Sequence, residues 1–118
     1  MLQQNIKGIT ISFDYESDLQ RVTVFINASE MAKPFNKDIN SFLGLESTRL
    51  FIAHLINHYN MEHDPSPIEE IRKDGSTWLD YHVALELARW LNIPLYLGLQ
   101  SVLRNDSFIS EVMDSKRY

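Results

Sequence analysis

Ser76 to Asn92, STWLDYHVALELARWLN, runs from a short aromatic strand directly into a densely apolar helix. Asp80 stands at the junction, where a carboxylate can accept an N–H of the first helical turn and serve as N-cap. Beyond it Ala84, Leu87, Ala88 and Leu91 repeat at helical spacing, so Tyr81 to Leu91 is read as a helix whose small residues allow close packing. Immediately upstream, Lys73-Asp74-Gly75-Ser76 separates Ile68–Arg72 from Thr77–Leu79. An Asp-Gly pair supplies the positive φ angles of a tight hairpin, so this segment is expected to form a β-wing. Trp78 at the strand end and Trp90 on the apolar helix are expected to be core or interface anchors rather than base-stacking platforms.

Toward the N-terminus, Ile9, Ile11, Phe13 and Tyr15 alternate with Thr10, Ser12 and Asp14, the period of a strand with one apolar face. Glu16 to Gln20 reads as a hairpin loop and Arg21 to Ile26 as the returning strand. Asn27 then suits an N-cap, with Glu30 three residues on as its capping-box partner, so a short helix is expected over Ala28 to Ala32 until Pro34 redirects the chain. Asn36 to Leu43 places Ile39, Phe42 and Leu43 on one stripe of a second short helix, with Gly44 at its C-cap.

A longer helix is expected from Ser47 to Tyr59. With Leu50, Phe51, Leu55 and Tyr59 on one side, extended by Ile52 and Ile56, it is read as the central helix of the core. Leu50, Phe51, Leu55, Trp78, Leu87 and Leu91 should be buried. Asn60 to Pro67 holds two prolines and reads as a loop, and the flexible point of the domain. Asn92-Ile93-Pro94 caps and restarts a helix to about Arg104, and a terminal helix or fraying segment follows. The sum is one α+β domain over residues 1–118, with two β-hairpins flanking a helical core. Without repeat, low-complexity tract or linker, the chain reads as a small protein or an excised domain.

Two anchors in this order, Val24 to Ala32 (VFINASEMA) and Ser76 to Asn92, make the chain resemble the KilA-N domain over Thr23 to Leu103. That family occurs mainly in proteins of phages and large DNA viruses. The resemblance implies a DNA-binding module with a helix-turn-helix-like pair, Ala28–Ala32 and Asn36–Leu43, backed by the wing. It further suggests a phage or prophage transcriptional regulator or antirepressor. On the outer face of the pair lie Lys33, Asn36, Lys37, Asn40 and Ser41, while Arg72 and Lys73 lie on the wing; these seven are the candidate DNA-binding residues. Lysine suits phosphate or guanine and asparagine can bond adenine bidentately in the major groove, so the types fit both positioning and readout. The chain departs from the family pattern in two places. Asn40 to Gly44 carries no Trp followed by a basic residue, and Asp80-Tyr81 stands where a His-Pro pair is usual.

The net charge of −5 and pI near 5.2 oppose a generally basic surface, so duplex binding must rest on a local patch, since affinity for DNA comes largely from counterions released by Lys and Arg. Lys33, Lys37, Arg49, Arg72 and Lys73 offer one, whereas acidic residues crowd Glu62 to Glu70 and the C-terminal tail. An alternative function follows from that acidity: a protein-interaction module, as a DNA mimic or an inhibitor of a regulatory or defence protein. The same charges also read as an ordinary mixed, solvated surface.

Other chemistry finds little support. Cysteine is absent, which removes disulfides and thiolate zinc sites. His54 and His58 stand at i and i+4, with His63 and Asp64 following, but His54 is not followed by the glutamate of a zinc-protease helix. No Gly-x-Ser-x-Gly elbow or phosphate-binding loop occurs, and adjacent Glu69 and Glu70 on a strand point to opposite faces. Neither enzymatic activity nor a metal or other cofactor is expected. No apolar run approaches the about 18 residues of a membrane span, and the expected location is cytoplasmic.

Overall fold

Lys7 and Gly8 both take positive φ, 52° and 85°, and form a two-residue turn that folds the chain back on itself. Strand β1 (Leu2–Ile6) therefore pairs antiparallel with β2 (Ile9–Ser17), Ile6 opposite Ile9 and Leu2 opposite Phe13. β2 pairs in turn with β3 (Val22–Asn27), Phe13 opposite Ile26. The computed structural model describes residues 1–17, 22–58 and 68–114. The expected loop at Glu16–Gln20 and the whole of Asn60–Pro67 therefore lie largely or wholly outside the described residues, as does Tyr59.

The second hairpin, β4 (Glu69–Ile71) and β5 (Thr77–Asp80), joins the first through β3 and β5, with Ile26 opposite Leu79. The two hairpins thus do not stand on either side of a helical core. They form a single antiparallel sheet of order β1-β2-β3-β5-β4. Period-two alternation sends Ile11, Phe13, Val24, Ile26 and Leu79 to one face, all buried in the main core. The reverse face carries Ser12, Asp14, Phe25 and Trp78, also buried.

Helix α4 (Tyr81–Leu91) covers the core face with Val83, Ala84, Leu87, Ala88 and Leu91, and Asp80 caps it through the N–H of His82. Asn92 breaks the helix in extended backbone, φ −170°. Its side chain accepts the Leu95 N–H to start α5 (Ile93–Leu103), where Pro94 occupies the first turn. α6 (Asp106–Asp114) is helical, and residues 115–118 lie outside the described residues. Asn105 caps it, and Phe108 meets Phe13 edge-on at 4.9 Å between ring centroids. No helix among the described residues is long and apolar enough to cross a membrane.

The long helix α3 (Glu46–His58) is not the centre of the core. Its buried positions are Thr48 and Leu55, flanked by half-buried Phe51, Ile52 and Ile56. At 100° per residue, these five share one side of the helix, and Leu50 falls opposite. Leu50 is accordingly 55% exposed, which corrects the expectation of its burial. Leucine and phenylalanine at adjacent positions define two possible stripes, and only Phe51 belongs to the one that packs. Of the other residues expected inside, Leu55, Trp78, Leu87 and Leu91 are buried.

Candidate nucleic-acid interface

Asn27 ends β3 and accepts the Glu30 N–H at 3.1 Å, opening helix α1 (Ala28–Ala32) at the end of the sheet. The reciprocal half of the expected capping box is not made. Asn27 already lies in the sheet ladder opposite Trp78, and Glu30 turns to β2 instead, accepting the Ser12 N–H at 2.7 Å and its hydroxyl at 3.2 Å. Ser29 accepts the Thr77 N–H at 2.9 Å, so α1 is tied to β2 through one side chain and to the wing strand through another. Ala28, Met31 and Ala32 fill the core beneath.

Lys33–Phe35 forms a 3-10 turn closed by Asn36 in the left-handed region, φ 53°. Asparagine tolerates this conformation better than most residues, and it prevents a helix from starting at Asn36. The second helix, α2, is therefore Ile39–Leu43, three residues shorter at its N-terminus than expected. Asp38 caps it by accepting the Asn40 N–H at 2.9 Å. Its carboxylate thus has a local structural use at the place where it would repel phosphate. Gly44 follows with φ −83°, a conformation open to any residue.

Phe42 anchors α2 against α4. It is buried, 5.7 Å from the Trp90 ring, and Ile39 and Leu43 pack half-buried beside it. The rest of the segment faces solvent: Lys33, Asn36, Lys37, Asn40 and Ser41 are all exposed, and form a ridge from the 3-10 turn to the first turn of α2. Lys37 lies over Trp90, its Nζ 4.7 Å from the ring centroid, in a cation–π contact on a residue that stays exposed. Trp90 is half-buried beneath it, an interface anchor joining α2 to α4. Sequence reading placed Trp90 in that class but gave no signal that Lys37 would lie above it. Among the described residues no carboxylate pairs with Lys33 or Lys37.

The wing differs in kind. Its connection spans Lys73–Gly75: the Gly75 N–H bonds the Arg72 carbonyl, the Arg72 N–H bonds Ser76, and only Gly75 has positive φ, 87°. This is a three-residue hairpin with glycine in the left-handed position rather than a two-residue Asp-Gly turn. Asp74 accepts both the N–H and the hydroxyl of Ser76, which itself accepts the Trp78 indole N–H at 2.9 Å. Those Ser76 bonds hold the exposed Asp74 carboxyl below its ordinary pKa.

Lys73 is exposed at the tip, but Arg72 turns inward. Its guanidinium bonds Asp14 and Glu70 and stacks on Trp78 with Cζ 3.8 Å from the ring centroid. Partial burial works against its charge, yet the bonds to Glu70 and Asp14 outweigh that and raise its pKa. The structure therefore leaves Lys33, Asn36, Lys37, Asn40 and Ser41 exposed along one stretch of chain and gives Arg72 a bracing place on the reverse face of the sheet.

His54 and His58 are exposed on α3, while His63 and Asp64 lie outside the described residues. Among the described residues no three metal-ligating side chains converge.

A model of the KilA-N domain matches residues 12–105, most of the chain, and the protein belongs to the KilA-N family of DNA-binding modules. The matched stretch runs from within β2 to just beyond α5 and leaves β1 and α6 outside it. No curated protein and no solved structure matches the chain.

Proposed function

We propose that this chain binds duplex DNA sequence-specifically through the α1–α2 unit, as a regulator or antirepressor of a phage or prophage. The observation that carries this is the ridge: two cations and three polar side chains exposed within Lys33–Ser41, on a stretch of chain that leads into the helix anchored by Phe42. Lys33 and Lys37 would meet phosphates, Asn36, Asn40 and Ser41 would approach base edges, and Lys73 would reach an adjoining backbone from the wing. Arg72 serves in this reading as the brace that aims the wing. With a five-residue helix the contact is short, so specificity rests on few side chains. The seat of such a regulator is the cytoplasm of the bacterial or host cell.

The net charge of −5 favours a second reading, an acidic module that engages a basic regulatory or defence protein. Asp38 and Glu46 are exposed on either side of α2. Selection from a random duplex pool, followed by binding to the enriched sequence across a salt series, separates the two. The DNA reading expects enrichment and a linear fall of log K with log salt. Absence of both would transfer the site to a protein partner.

A further inference from the structure

β1 forms one edge of the sheet, and its residues Leu2-Gln3-Gln4-Asn5-Ile6 contain no charge and no proline, the usual devices that keep an edge strand from pairing with another chain. Ile6 and Ile9 close the two-residue turn as a hydrogen-bonded pair, so antiparallel alternation directs the backbone groups of Ile6, Gln4 and Leu2 toward β2. Those of Gln3 and Asn5 point outward, and among the described residues nothing pairs with them.

We infer that this edge is a self-association surface whose partner is a second copy of the chain, paired β1 to β1 across a two-fold axis through Gln4. The register follows from the backbone. Both reciprocal pairs stay within Leu2–Ile6 only if Gln3 of one copy faces Asn5 of the other, which places Gln4 opposite Gln4 and Leu2 opposite Ile6. In that register the strand is complementary to itself: amide faces amide, aliphatic faces aliphatic, and no like charges meet within Leu2–Ile6. The two sheets then continue as one of ten strands with closed, isologous symmetry.

A second feature lies at the same edge. Helix α5 packs on β1 so closely that a Cβ at Gly98 would sit 2.8 Å from the Ile6 Cγ2. It carries no charged residue from Ile93 to Leu103, yet Ile93 and Leu97, one turn apart, are 53% and 54% exposed. A two-fold axis normal to the joined sheet keeps both α5 helices on one face beside the seam. Their apolar stripes then add side-chain burial to a strand pair that alone would be too small for a stable dimer. β1 lies outside the stretch matched by the family model.

Gln4 supplies the test, because it lies on the axis. Sedimentation of the full chain should show a reversible dimer, and Gln4→Lys and Gln4→Glu should each be monomeric because like charges then face each other. Mixing the two should restore the dimer through an opposite-charge pair, an outcome that damage to the fold cannot produce. Since the chain lacks cysteine, Gln4→Cys should also cross-link to a covalent dimer under mild oxidation, while Gln3→Cys, which faces Asn5, should not. A full chain that remains monomeric up to its solubility limit, a mixture that fails to dimerise, or cross-linking through position 3 instead of 4 would each overturn the proposal.

Discussion

Arg72, at the base of the wing, reaches across the reverse face of the sheet to hold the buried carboxylate of Asp14 on β2 with its guanidinium nitrogen 3.0 Å away. Two strands, β5 and β3, lie between the elements that carry them. The contact therefore spans the reverse face over Trp78 and ties the end of β4 to β2.

This pair predicts a measurable coupling. Arg72→Ala removes a charged partner from the buried Asp14 and should lose about 3 kcal/mol of stability, toward the low end for a broken buried pair because Arg72 is 24% exposed. The double variant with Asp14→Asn should recover part of that loss. Chemical denaturation of the four proteins gives the coupling energy, and a value under about 0.5 kcal/mol would show the two sites to be independent.

The two leucine-bearing helices should respond oppositely to truncation. Leu87, fully buried on α4, should lose about 2 to 5 kcal/mol on replacement by alanine. Leu50→Ala on the outer side of α3 should stay within about 0.5 kcal/mol of the parent. Equal losses at the two positions in urea melts would mean that α3 packs through its other face.

On the ridge, charge and readout should separate. Lys37→Ala should weaken binding to all duplexes and reduce the salt slope by about one unit. Asn40→Ala should cost about 1 to 3 kcal/mol on the selected site and far less on random DNA. Trp90→Phe, which retains an aromatic ring under Lys37, should preserve both behaviours better than Trp90→Ala. Wild-type binding by both Lys37→Ala and Asn40→Ala would remove DNA reading from this helix.

Acid should loosen the wing turn at Asp74. Its carboxyl has a lower pKa when folded than unfolded, so its contribution is present above the unfolded value, about 3.9, and lost as pH falls through the folded one. The Gly75 and Ser76 amide resonances should then shift with a midpoint below that ordinary value. In Asp74→Asn the same titration should be flat, and a midpoint at or above the ordinary value would contradict the Ser76 bonds.

Much of the fold was legible because it depends on local periodicity. Ile11 and Phe13 alternate with Ser12 and Asp14, Asp80 precedes a helical repeat, and Asn92 precedes Pro94; each signal lies within a few residues of the element it specifies. β1 escaped because only Leu2 and Ile6 are apolar and its turn is Lys-Gly rather than an Asn-Gly or Asp-Gly pair. Of the candidate site, the exposed ridge from Lys33 to Ser41 was legible as polar residues between two anchored helices. Its left-handed break at Asn36 was not.

The sequence by itself determined the strands of the first hairpin, the caps at Asn27 and Asp80, the apolar face of α4 and the family to which the chain belongs. Only the tertiary structure decided that the two hairpins share one sheet, that α3 packs through Thr48 and Leu55, and that Arg72 serves Asp14 while Lys37 lies on Trp90. The division is physical. Caps and stripes are set by neighbours within about one helical turn, where spacing fixes geometry. The partner of a long, flexible cation is set by whichever carboxylate or ring the fold carries within its reach, and Asp14 stands 58 positions before Arg72 in the chain.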